Sequence, residues 1–221
     1  MKTIYLLLVR SQTCLSRTIH ALTGDSYTHV SIAFDGALTT LCSFARFDAR
    51  CPLPAGLVRE QPAAGYYGAH PEIPCALLAV PVSEAGYARA RAHAEAMLAR
   101  QDATARRAYR YSVLGLLACR AGLPLRRSGR YFCSQFVSEL LALTGDVALP
   151  GPPELMRPQE LAQLPEAVCL WRGTMGALAA RCAQPGLTEA ASRRMMEREE
   201  NHPCKREVPQ YDLQNLWLRR A

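Results

Sequence analysis

The chain has 221 residues, 49% of them hydrophobic, and a formal charge of +7. That composition suits one domain of moderate size with a substantial core, and it excludes global disorder. Nine cysteines is an odd number and no two are spaced as CxxC, which argues against a disulfide framework or a zinc ribbon and for reduced thiols in the cytoplasm.

The N-terminal apolar run Ile4 to Val9 is shorter than the roughly 7–15 residues of a signal-peptide core and reads as a buried β-strand. No segment approaches the roughly 18 apolar residues needed to span a bilayer, so a soluble protein is expected. Ser11 to Gly24 reads as a helix capped by Ser11, with Leu15, Ile19 and Leu22 at helical spacing. Tyr27 to Phe34 alternates as a strand. Asp35-Gly36 is a hairpin signal, and Ala37 to Phe44 is the expected returning strand, which would bring residues 41 to 43 across from His29.

Arg46 to Glu72 is rich in Pro, Gly and Ala and reads as a long loop with one short strand at Gly56 to Glu60. Pro74 to Val82 is a further strand. Ser83 caps a helix running to Gln101, with Tyr87, Ala90, Ala94, Met97 and Leu98 facing inward. Tyr109 to Ala121 is a shorter helix, and a basic turn leads from it to Tyr131. Beyond Gly145, a short helix at Gln159 to Leu164 and a strand at Ala167 to Arg172 are expected. After Thr174 the chain becomes helical and charged, with no obvious core face. The elements together indicate an α+β fold.

Arginines are concentrated before Tyr131: eight lie between Arg100 and Arg130, against one acid, Asp102. Such a stretch attracts phosphate, nucleic acid, anionic lipid or acidic peptide, or is simply a solvated basic face. The aromatic–basic signatures of common RNA-binding modules and the C2H2 finger are absent, so no specific nucleic-acid partner is expected.

Chemistry points to one helix. Phe132, Phe136, Val137, Leu140, Leu141 and Leu143 fall mostly on one side of a spiral, with Gln135, Ser138, Glu139 and Ala142 opposite. Cys133 sits in the first turn, where free amides and the helix dipole favour thiolate over thiol. The plain alternative is that Cys133 is one more small core residue. No phosphate-binding loop, dinucleotide fingerprint, serine elbow or zinc-protease helix is present, and neither a cofactor nor a metal is expected. Four of the five histidines, His20, His70, His93 and His202, read as surface or core-edge residues. His29 differs, because it opens an apolar strand. Packed near the Cys133 helix it would take the thiol proton, with a third polar group orienting its ring. Ser43 is the leading choice for that group, and Glu60, which could ionise, is the alternative. The Cys133 amide is a natural oxyanion donor, which Tyr131 or Gln135 could assist.

The order of the two segments, THVSIAFD at residues 28–35 and YFCSQFV at residues 131–137, resembles the circularly permuted papain-like cysteine hydrolases of the NlpC type, a group that includes the YiiX-like bacterial proteins and the lecithin:retinol acyltransferase relatives. CSFAR at residues 42–46 and PELMRP at residues 153–158 look like one bacterial subgroup of these. The resemblance covers about residues 1 to 175. It implies an antiparallel sheet packed against the cysteine helix, with Cys133 as nucleophile and His29 as base. Residues 1–175 would then be a catalytic domain and 176–221 a charged extension. The expected activity is thiol-dependent hydrolysis or acyl transfer on an amide or ester, with a peptide, a cell-wall fragment or a lipid as acyl substrate. The alternative is a non-catalytic module that binds anionic lipid or nucleic acid through the arginine-rich face.

Overall fold

A computed structural model describes residues 1–10, 25–47, 54–104 and 107–183. The expected helix over residues 11–24 and nearly all of the charged extension lie outside the described residues. The body is α+β. Its centre is an eight-stranded sheet made of β1 (Lys2–Val9), β2 (His29–Ala33), β3 (Cys42–Arg46), β4 (Ala55–Arg59), β5 (Pro74–Val82), β6 (Arg110–Tyr111), β7 (Arg130–Tyr131) and β8 (Val168–Thr174). The strands lie in the order β7-β6-β4-β3-β2-β1-β5-β8. All pairings are antiparallel except β6 with β7, so the sheet is mixed rather than purely antiparallel. These two dipeptide strands flank a crossover helix, which is the connection that parallel neighbours require.

β1 and β5 are the longest strands and lie side by side towards the β8 edge. The unbroken apolar runs that suggested them are buried on both faces. Their alternating side chains feed two core layers. One holds Leu6, Leu8, Val30, Ile32, Phe44 and Leu57 under helices α2 (Glu84–Ala103) and α4 (Cys133–Thr144). The other holds Tyr5, Leu7, Leu41 and Ile73 under the short helix α1 (Gly65–Ala69) and the C-terminal helix α6 (Met175–Cys182). Met175 and Leu178 are fully buried in that second layer, so the first turns of the stretch expected to lack a core face do contribute one.

Several boundaries move for identifiable reasons. The hairpin expected at Asp35-Gly36 is a longer connection, and β3 begins at Cys42. The Asp35 carboxylate accepts from the amides of Thr39 and Thr40, each at 2.9 Å, and from the Thr40 hydroxyl, which holds the chain in a wide loop. The helix expected from Tyr109 starts at Val113, because Arg110 and Tyr111 are drawn into the sheet and Ser112 caps the first helical turn, accepting from Gly115 N at 3.1 Å. This helix, α3 (Val113–Arg120), leads through the basic turn to β7. Ser83 caps α2 as expected, and Ala90, Ala94, Met97 and Leu98 are its buried face.

α4 is buried almost all round. Gln135 and Ser138, expected on its polar side, are buried as well, because α2 packs beside it and the 3-10 turn Pro153–Leu155 covers its other flank. Gly145 ends it in the left-handed conformation, φ 73°. α5 (Pro158–Leu161) is shorter than expected and follows Arg157, whose amide and guanidinium both donate to the Glu160 carboxylate.

Phe136 joins this helix to the sheet, its ring 5.2 Å from that of Phe44. Phe136→Ala is expected to lower unfolding free energy by about 3–5 kcal/mol, read as a lower urea midpoint at unchanged slope.

Candidate functional site

β2 and β3 meet in register at Ile32↔Cys42, which sets Ser31 beside Ser43. In the β3–β4 ladder Ser43 faces Val58, and Glu60 lies two residues on, held by its amide donating to Leu41 O at 2.8 Å. Alternation therefore puts His29, Ser31, Ser43 and Glu60 on one side of the sheet. His29 opens β2, so its ring stands at the end of the strand, where both core layers are within reach.

The ring is held on one side by oxygens. Nε2 lies 3.2 Å from Ser31 Oγ, 3.3 Å from Ser43 Oγ and 3.4 Å from Glu60 Oε1. Ser31 donates its only hydroxyl proton to Glu60 Oε2, so towards His29 it can only accept. Nε2 therefore carries a hydrogen, and Nδ1 is left as the basic nitrogen. The sequence offered Ser43 and Glu60 as alternatives for the orienting group. The structure brings both to the same nitrogen and adds Ser31. Only Glu60 carries charge. Burial works against its ionisation, but the His29 ring and hydrogen bonds from His29, Ser31 and Ser43 outweigh it and hold the carboxyl below its ordinary range. Tyr67 from α1 closes this side, its hydroxyl beside Glu60 and Ser31 without a hydrogen bond of normal geometry.

Cys133 approaches from the other layer as the first residue of α4. The His29 ring and the backbone N–H groups of Val30 and Ser134 lie close enough to act on its sulfur. Burial alone would raise its pKa. The His29 charge and these neighbouring donors reverse the effect and lower it. For His29 burial acts downward, and the negative charges of Glu60 and Cys133 more than compensate, raising the ring to about 10. Both shifts favour a thiolate–imidazolium pair with Glu60 behind it. Other cysteines go the opposite way: burial pushes Cys42 and Cys75 up to about 12, and Cys119 and Cys182 also rise. Cys133 is a cysteine in a different environment, beyond being another small core residue.

Tyr111 was not singled out by sequence. Its half-buried side chain lies close enough to act on the Cys133 sulfur. Burial and the sulfur charge keep the phenol protonated, so it donates to the thiolate. A two-residue strand offers no periodicity, and the only signal was an aromatic residue inside an arginine-rich run. Of the two suggested oxyanion helpers, Tyr131 is half-buried, and the Gln135 amide is buried with neither its nitrogen nor its oxygen hydrogen-bonded. Tyr131 stacks beside Phe44 at 5.1 Å and is influenced by Glu139, and Gln135 lies buried beside Glu139. His70 pairs with Glu72 at 3.5 Å and His93 is exposed. His20 and His202 lie outside the described residues.

A second cluster fixes the approach to His29. Asp25 is buried and receives Arg120 from α3 at 2.8 Å and Arg157 at 3.4 Å. The Ser26 amide donates to Gln159 Oε1 at 3.1 Å. These bonds explain the sequence pattern around Arg157-Pro158: it anchors the segment that enters β2. In the other pattern, Ser43 joins the His29 network, Phe44 supports α4, and Arg46 lies over the Tyr66 ring at 4.5 Å. Among the described residues, no group of three or more His, Cys, Asp or Glu side chains is placed to hold a metal.

The charge on Glu60 gives a signed expectation. Glu60→Gln removes the carboxylate that favours imidazolium, so His29 loses its proton at lower pH and the Cys133 thiolate forms at higher pH. The midpoint for Cys133 alkylation should rise by about one to three pH units, measured by iodoacetamide labelling with mass-spectrometric readout. Tyr111→Phe, which removes one donor to the thiolate, should move it in the same direction by less. No protein-family profile matches the chain, and no curated protein or solved structure gives a significant match to it.

Proposed function

We propose that the protein is a thiol-dependent hydrolase or acyltransferase of permuted papain-like type, acting on an amide or ester through an acyl-enzyme at Cys133. The observation that carries this reading is the placement of Cys133 at the start of a buried helix, against a histidine whose far nitrogen is held by Glu60, Ser31 and Ser43. A structural cysteine needs none of these partners.

In the first step the thiolate attacks the carbonyl carbon of the substrate, forming a C–S bond while the carbonyl π electrons move to oxygen. The backbone N–H of Cys133, in the first turn of α4, has no carbonyl within the helix to donate to and is available to that oxyanion. The imidazolium gives its proton to the leaving nitrogen or oxygen as the C–N or C–O bond breaks, which leaves a thioester and neutral His29. Nδ1 then takes a proton from water, or from an acceptor alcohol or amine, as that group attacks the thioester. Collapse expels the thiolate and restores the ion pair. Glu60 stays ionised throughout; its work is to hold the ring and to favour its protonated form. The Ser31 and Ser43 hydroxyls fill the space between them, so the carboxylate is solvated by the protein.

The test is an ester or amide library screened with intact-mass readout. A substrate should leave an acyl adduct on Cys133 that hydroxylamine removes. Cys133→Ala should abolish the adduct, and His29→Ala should slow acylation by about 10²–10⁴-fold. A Cys133 that alkylates no faster at neutral pH than the other cysteines would sink the proposal.

A further inference from the structure

Six large hydrophobic side chains among the described residues are exposed, and four of them, Val113, Leu114, Leu117 and Leu123, come from α3 and the turn after it. Helical spacing places 113, 114 and 117 on one face. The opposite face is satisfied: Leu116 and Cys119 pack on Phe132, with Tyr111 against them. α3 therefore has two apolar faces, one buried beside the Cys133 site and one open to solvent at 41–56% exposure. Contiguous exposed apolar surface rimmed by charge marks an interaction site.

The rim is basic and unbalanced. No acidic residue occurs between Asp102 and Glu139. Arg126 is paired with Glu139 at 3.1 Å, Arg120 with Asp25 at 2.8 Å, and Arg107 lies over the Phe47 ring. Arg110, Arg127 and Arg130 have no carboxylate partner among the described residues. Arg110 pairs in register with Arg130, and Arg127 bridges to Arg130, so the backbone gathers three like charges at the sheet edge. Like charges side by side on a ladder repel. An anionic surface would relieve that repulsion.

We infer that this face docks on an anionic lipid bilayer, with Val113, Leu114, Leu117 and Leu123 entering the interface and Arg110, Arg127 and Arg130 meeting the headgroups. The combination is what selects a membrane. A nucleic acid would neutralise the arginines but has no use for exposed leucines, and a second copy of the chain would bring two arginine clusters together. Interfacial binding uses both terms at once, buried apolar area and attraction to anionic lipid. Because the inner face of α3 rests on Phe132 and Tyr111, docking would hold the thiol about one helix diameter, roughly 10 Å, from the interface.

The test is flotation of the full chain with phosphatidylcholine vesicles with and without phosphatidylglycerol. Binding is expected only to the anionic vesicles and should weaken as salt rises. Leu114→Ser with Leu117→Ser should cost at least about tenfold in affinity, and Arg127→Gln with Arg130→Gln should weaken binding and flatten its salt dependence. Leu114, Leu117 and Arg127 are exposed and Arg130 is half-buried, and unchanged thermal melts would show the variants folded. Cys133→Ala should bind like wild type, which keeps this inference separate from the proposed chemistry. Equal binding to both vesicle types, or to neither, would overturn it. So would a loss on the arginine variant with none on the leucine variant, which marks a polyanion patch, or a dimer that the leucine variant dissolves, which marks a second copy as the occupant.

Discussion

A carboxylate held ionised inside the protein is the constraint on which the candidate site depends. An isolated buried ion is costly, and a carboxyl left alone there would keep its proton. Glu60 avoids this by facing the His29 ring and two serine hydroxyls. Once it is charged, the ring is favoured as imidazolium, and the imidazolium in turn favours the Cys133 thiolate. Each charge makes the next one tolerable. The set has a net charge of about one negative unit, spread over three groups and stabilised by backbone amides and the Tyr111 hydroxyl, which is easier to bury than the same charge on one atom.

The fold supplies the support that arrangement needs. β1 and β5 are buried on both faces and pair along eight residues, and β2 pairs with the other edge of β1. α4 is enclosed by α2, the sheet and the 3-10 turn, so Cys133 is presented from an element with little freedom to shift. The segment that delivers His29 is pinned by the Asp25 cluster to α3 and to Arg157, residues distant in sequence. Cys133 and His29 thus come from segments far apart in the chain, and both are held by packing from residues outside the candidate site.

Much of this was legible in sequence where a pattern had enough length to speak. The long strands, the Ser83 helix and the Cys133 helix had clear periodicity and punctuation, and Cys133 and His29 were found because helix position and strand placement carry chemical meaning. Ser43 was reached by assuming a tight hairpin. The hairpin is wider, yet β3 still brings Ser43 beside the ring, because register is set by the apolar residues flanking it rather than by the turn. Ser31 lay unread in the same strand as His29. Tyr111, Tyr67 and the Asp25 cluster were not visible, since each contact joins segments far apart in the chain and rests on strands or helices of two to five residues. The buried polar side of α4 was misjudged for a related reason: periodicity tells which face is apolar, but not whether another element covers the rest.

The single bridge at Ile32↔Cys42 gives the β2–β3 seam a particular character. Neighbouring ladders are stitched along five or more residues by the backbone, but here the stitching beyond one pair is done by side chains, Ser31 and Ser43 on Glu60 and His29. The ring and the carboxylate therefore add side-chain ties to a seam that the backbone ladder joins at one residue pair. The side chains that act on the Cys133 thiol are thus also those that tie β2 to β3 and β4.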